Sequence, residues 1–131
     1  MQKKTLTIDG SHITDIASFY EEINRVFMSE EDWALGQSLD ALNDMLFGGF
    51  GAIKGGEPIA LIWTDFAASK AALGLEATRQ FYQAKLSRPE TYDVARITKD
   101  LAELEAGRGP TYFDIVLDIV ADHPSIELVR R

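Results

Sequence analysis

The segment Ser38-Leu39-Asp40-Ala41-Leu42-Asn43-Asp44-Met45-Leu46-Phe47 carries the densest chemistry in the chain. Asp40, Asn43, Asp44 and Phe47 recur at i, i+3, i+4 and i+7, which on a helix sets two carboxylates, an amide and an aromatic ring along one side. Leu39, Leu42 and Leu46 mark the other side. Carboxylates four residues apart repel one another by a few tenths of a kcal/mol, and no Lys or Arg lies within the segment to relieve them. Two readings stand. Either the face is simply solvated, with Asp40 favoured by the positive end of the helix dipole, or it is a preformed acidic patch for a cationic partner. A second stripe repeats the theme: Asp114, Asp118 and Asp122 fall at i, i+4 and i+8 among Phe113, Val116, Leu117 and Val120. Asp122 even stands at the unfavourable, negative end of its helix. Two unpaired acidic stripes in one small chain tilt the balance toward a charged binding surface.

Other chemistries lack their motifs. Gly48-Gly49-Phe50-Gly51-Ala52-Ile53-Lys54-Gly55-Gly56 is glycine-rich, but it follows a helix, precedes a strand and lacks the Gly-Lys-Ser/Thr ending of a phosphate loop. It reads as a helix cap followed by a flexible loop. His12 and His123 head no hydrolytic motif and read as surface or capping residues. Paired carboxylates that cleave glycosides need a deep sugar cleft. Asp40, Asn43 and Asp44 lack the alternating oxygen ligands and glycine of a calcium loop. No nucleophile–base pair is visible, so an enzyme ranks last, and no metal or cofactor is expected.

These side chains must be held by elements that the patterning also indicates. Thr5-Leu6-Thr7-Ile8 alternates as a first strand, closed by an Asp9-Gly10 turn. Ser18 to Glu21 has capping-box spacing, and Phe19, Ile23, Val26 and Phe27 form the stripe of a first helix. An acidic loop from Ser29 to Asp32 leads to Trp33. Ser38 caps a second helix that runs to about Phe47. Ile59-Ala60-Leu61-Ile62-Trp63 is an unalternating apolar run, the pattern of a strand buried on both faces. Helical patterns follow over Asp65–Leu73, around Phe81, Tyr82, Lys85 and Leu86, and over Val94, Ile97, Leu101 and Leu104, with Arg88-Pro89 between the last two. Pro110 suits the first turn of a strongly apolar helix from Tyr112 to Asp122, and Ile126–Val129 closes as a strand. Strands alternating with helices predict a small three-stranded parallel sheet packed by helices mainly on one face.

The whole bounds the function. A chain of 131 residues fits one domain. It has no cysteine, which excludes disulfides, thiolate metal sites and cysteine catalysis. Met1-Gln2-Lys3-Lys4 is followed by alternating residues rather than an apolar leader, and no run approaches the roughly eighteen apolar residues of a membrane span, so a cytoplasmic location is expected. Thirteen basic against twenty-one acidic residues give a net charge of −8. Such a field repels phosphate backbones and anionic lipid and attracts basic proteins. Nucleic acid, membrane and small-molecule substrates are accordingly not the expected partners.

Gly36-Gln37-Ser38-Leu39-Asp40-Ala41-Leu42-Asn43-Asp44-Met45-Leu46 resembles the barstar family, the intracellular inhibitors of barnase-type ribonucleases, through the pattern Gly-x-x-Leu-Asp-Ala-Leu-x-Asp-x-Leu. Further pieces follow in order: Lys3-Lys4, Ile8-Asp9-Gly10 and Ile13, then Trp63, Phe66, Ser69 and Lys70, then the last helix and strand. The likeness covers about residues 1–74 and 110–131, leaving 75–109 as an extra helical pair inserted in a single barstar-like domain spanning 1–131. It implies a three-stranded parallel sheet with helices, and inhibition by covering the ribonuclease active site. The family's two inhibitory aspartates fall on Asp40 and Asp44, and its supporting acid on Asp118. Carboxylates suit that task because a ribonuclease cleft is lined with cations that hold phosphate. The family's aromatic between the two aspartates is Asn43 here, its loop aromatic is Ala34 with Trp33 beside it, and the loop after the helix is longer and carries Phe50. The expected partner surface is therefore Asp40, Asp44, Asn43, Asp118, Trp33, Phe50 and Phe47. The expected partner is a basic ribonuclease, with another basic protein bound by the same fold as the alternative.

Overall fold

A computed structural model of the chain describes residues 3–131. Met1 and Gln2, part of the amino-terminal stretch discussed above, lie outside the described residues. The elements run β1 (Lys4–Asp9), a 3-10 turn (Gly10–His12), α1 (Ile16–Phe27), α2 (Leu39–Leu46), β2 (Ile59–Thr64), α3 (Phe66–Ala72), α4 (Leu75–Leu86), α5 (Val94–Glu105), α6 (Tyr112–Ala121) and β3 (Ile126–Arg130). The three strands pair in parallel in the order β1-β2-β3. The fold is thus a small α/β fold around a three-stranded parallel sheet, as the sequence predicts.

Register explains which face is buried. Leu6, Leu61 and Leu128 align across the sheet, as do Ile8, Trp63 and Arg130. Ile8, Ile59, Leu61, Trp63 and Ile126 are buried, while Thr5, Thr7 and Glu127 on the opposite face are exposed and Ala60, Ile62 and Val129 half-buried. β2 therefore alternates, contrary to the expectation of a strand buried on both faces. Its apolar run reflects a central position in a sheet that is fully covered on one side only.

Local chemistry sets the helix starts. α1 begins earlier than Ser18, because Asp15 is its N-cap: the Asp15 carboxylate accepts from the Ser18 amide at 2.7 Å while Ser18 Oγ accepts from the Asp15 amide at 2.9 Å. Ser18 is thus the far half of a capping box rather than its opening residue. At α6 the cap is Thr111, reciprocated by Asp114, so Pro110 precedes the helix instead of entering its first turn. Gly10 lies so close to β2 that a Cβ there would meet the Thr64 carbonyl at 2.2 Å.

The main core stacks Phe19 on Trp63 at 6.1 Å between ring centres, and joins α1 to α6 through a 2.6 Å hydrogen bond between the Tyr20 and Tyr112 hydroxyls. α4 and α5 enclose a smaller cluster of Tyr82, Ile97 and Leu104. α4 is tied to the main core: the Tyr112 amide donates to Thr78 Oγ1 at 2.7 Å, and Phe81 packs 5.1 Å from Tyr112.

Candidate protein-binding face

α2 is short, and its seating decides what it presents. The Ser38 hydroxyl accepts from the Ala41 amide at 3.2 Å, as its N-cap role requires. Leu42, Met45 and Leu46 are buried, whereas Leu39 is only half-buried. Met45, unremarked in the sequence, thus takes the place in the core that the leucine spacing reserved for Leu39. Asp40 and Asp44 are exposed on the other side, and neither forms an ion pair among the described residues.

Asn43 lies between them, half-buried, and turns inward. His123 Nε2 is 2.8 Å from Asn43 Oδ1, close enough for the ring N–H to donate to the amide oxygen. The same imidazole meets Phe47 edge-to-face at 4.5 Å. His123 is 5% exposed, so it is neither a surface nor a solvent-facing capping residue as expected. It sits between α6 and β3, and the Ile126 amide donates to its carbonyl at 3.0 Å. A link of this kind, eighty residues apart in sequence, leaves no local signal. Phe47 itself stays 63% exposed beyond the end of α2.

The loops on either side of α2 are fastened. Asn24 on α1 clamps one of them, accepting from the Leu35 amide at 2.6 Å and donating to the Leu35 carbonyl at 3.0 Å. Glu31 accepts from the Gly51 amide at 2.7 Å, joining the loop before α2 to the loop after it. The Ala52 amide donates to the Phe27 carbonyl at 2.7 Å. Gly48 adopts φ +90°, and a Cβ there would strike the Gly55 backbone at 2.1 Å. The glycine-rich stretch is thus a hydrogen-bonded loop with a demanding path. It brings Phe50 to 4.9 Å from Trp33, forming an aromatic ledge in which Trp33 remains 47% exposed.

α6 packs against α2, so exposed Asp118 stands on the neighbouring helix. Asp114 is occupied in capping, accepting from the Thr111 amide at 3.0 Å, and Asp122 ends the helix. Of the second acidic stripe, Asp118 and Asp122 keep exposed carboxylates that form no ion pair among the described residues.

A second charged cluster joins the 3-10 turn to the second half of α1, and no sequence motif marks it. Glu22, 2% exposed, accepts from the Asp9 amide at 2.7 Å, from Arg25 and from His12 Nδ1 at 2.8 Å. Burial pushes its carboxyl up, but the hydrogen bonds from Arg25, His12 and Asp9 outweigh this and hold it below the usual carboxylate range. The hydrogen bond to Glu22 raises the His12 imidazole above its ordinary value. Ser11 Oγ donates to Asp9 rather than to His12, so no hydroxyl is activated there. The cluster ties the 3-10 turn to α1.

The family model for barstar, the barnase inhibitor, matches residues 3–88. The chain belongs to the barstar family. That range takes in β1 through α4, including the whole of the α2 face and both of its flanking loops, and ends before α5. No curated protein matches the chain. The barstar family is one of inhibitors, not of enzymes, and its description points to a ribonuclease-type protein as the kind of partner. Among the described residues no helix is long and apolar enough to cross a membrane.

Proposed function

We propose that the chain inhibits a basic ribonuclease by laying α2 over its active site, without catalysing a reaction itself. The observation that carries this reading is the state of Asp40 and Asp44: two exposed, ion-unpaired carboxylates on a helix whose other side is locked into the core. Held carboxylates of this kind replace the phosphates that a ribonuclease cleft is built to grip. Asp118 supplies further negative charge from α6. Trp33 and Phe50, in the loops that flank α2, and Phe47 just past its end add apolar area, which favours a protein partner because aromatic anchors give up little conformational entropy on binding. Asn43 acts from beneath, through His123, as much as by contact. Of residues 75–109, expected as an insertion, the part up to residue 88 falls within the family match, and we read the remainder, with α5, as a helical addition beside this face rather than as part of the anchor set.

The reading is tested by titrating the chain into small basic ribonucleases, barnase among them, and following RNA cleavage. One ribonuclease should lose activity stoichiometrically with the wild type and keep it with an Asp40→Ala/Asp44→Ala double variant. Inhibition that survives the double variant places the anchors elsewhere.

A further inference from the structure

A groove of about 770 Å³ runs between the first turn of α2 and the α4–α5 pair. Asp40 lines its α2 wall, so the groove continues the acidic face rather than forming a separate site. Its far wall includes Asp93, Arg96 and Asp100, which lie beyond the residues 3–88 that the family model matches. Three carboxylates, Asp40, Asp93 and Asp100, thus stand against two cations, Lys85 and Arg96. None of the five forms an ion pair among the described residues. The lysine is the less available cation. Its Nζ lies 4.2 Å from the centre of the Phe81 ring and 5.3 Å from that of Tyr92, and burial, with Arg96 adding to it, holds the ammonium below its usual range. The groove is therefore net negative on a chain whose total charge is −8, and the group that it favours is a cation.

Tyr82 narrows the choice of cation. It lines the groove and is only 8% exposed, yet its hydroxyl has no hydrogen-bond partner among the described residues. No fully enclosed side-chain polar atom is left unpaired there, so this oxygen reaches the open space that the ring borders. Tyr82 and Asp100 also line an adjoining recess of about 350 Å³, which places both where the two spaces meet. Burial raises the phenol above its ordinary range and Asp100 adds to this, so the hydroxyl stays neutral and keeps lone pairs for a donor. Asp93 is partly engaged, its Oδ1 accepting from the Arg96 amide at 3.1 Å. Asp40, Asp100 and the Tyr82 oxygen remain as acceptors. A guanidinium presents five N–H donors in a fixed plane and is more weakly hydrated than an ammonium, so it suits several acceptors in a partly desolvated groove.

We propose that this groove receives an arginine side chain of the ribonuclease, with Asp40 and Asp100 as its carboxylate partners and the Tyr82 oxygen accepting a further N–H. The α5 wall then selects among basic ribonucleases, while Asp40 and Asp44 anchor them. The proposal rests on the inhibitor reading, and the test separates the two. Inhibition constants are measured against a panel of small basic ribonucleases, barnase among them, for the wild type, Asp40→Ala/Asp44→Ala, Asp100→Asn and Tyr82→Phe. In parallel, acetyl-arginine amide and acetyl-lysine amide are titrated into the free full chain and followed by amide shifts. For the ribonuclease that the wild type inhibits best, Asp100→Asn and Tyr82→Phe should each weaken inhibition about tenfold, the scale of one charge-assisted hydrogen bond. That is far less than the loss in the double variant, and melting temperatures should stay near that of the wild type. The arginine amide should shift Asp40, Tyr82 and Asp100 more strongly than the lysine amide does, and Asp100→Asn should weaken its binding. The half-buried Asp100 keeps the test valid if Tyr82→Phe unfolds. A wild type that inhibits no ribonuclease removes the inhibitor reading and this proposal with it. Inhibition abolished in the double variant but unchanged in Asp100→Asn and Tyr82→Phe overturns the groove assignment alone, as does an arginine amide that shifts no groove residue. Equal binding of the lysine amide overturns the assignment to arginine.

Discussion

At Asp44 the carboxylate projects from the exposed side of α2 while Leu42, Met45 and Leu46 hold the other side in the core. Truncating one member of a desolvated charge pair costs about 2–5 kcal/mol of binding, a generalisation that itself draws on the barstar family's namesake complex. In the free chain the same change relieves repulsion from Asp40. Asp44→Ala should therefore leave the melting temperature unchanged or slightly higher while partner dissociation becomes much faster; unfolding of the variant would make the carboxylate structural. At His12 the expectation concerns pH. Its folded pKa is raised above the ordinary 6.5, so its contribution is fully present below that value and is lost as pH rises through the higher folded value. Glu22 works in the opposite sense: its pKa is held below the ordinary 4.5, so its contribution is lost only as acid takes pH down through the depressed value. Denaturant unfolding across neutral pH should show stability falling above 6.5 in the wild type and a flatter profile in His12→Ala. The exposed acids were legible because a 3.6-residue period separates them from leucines. His123 and Glu22 were not, since a buried polar residue is defined by partners distant in sequence.

Elements show the same division. Helix positions followed from periodicity, and α2 was recovered together with its Ser38 cap. The start of α1 was misplaced because Ser18 fits either half of a capping box, whereas α6 begins at Tyr112 as read and only Pro110 falls outside its first turn. β2 was read as buried on both faces because composition cannot tell a covered face from one that is half-open. The two long-range ties on which α2 and α4 depend had no sequence signal, and each gives a prediction. Thr78 is fully buried, and its hydroxyl accepts from the buried Tyr112 amide. Thr78→Val should cost about 1–3 kcal/mol by stranding that donor, lowering the denaturation midpoint while leaving partner affinity unchanged. His123→Ala removes both the donor to Asn43 and the ring under Phe47. It should reduce stability by a similar amount and also weaken partner binding, because α2 loses a fixed seat. Equal affinities for His123→Ala and wild type would show that the tie does not position the binding face.

For the molecule as a whole, charge is the property most open to experiment. A net charge of −8 should speed encounter with a basic partner, and salt should screen it. Stopped-flow association rates are expected to fall steeply from low to physiological ionic strength, while dissociation changes little; a flat on-rate would argue against electrostatic recognition. The central claim is that the acids of α2 capture a ribonuclease, and one differential capture addresses it. Extract from the source cells is passed over immobilised wild-type chain and over the Asp40→Ala/Asp44→Ala variant, and the retained proteins are identified and assayed for RNA cleavage. A small basic ribonuclease held by the wild type and absent from the variant is the predicted result. A retained partner without nuclease activity, or a ribonuclease held equally by both, would contradict it.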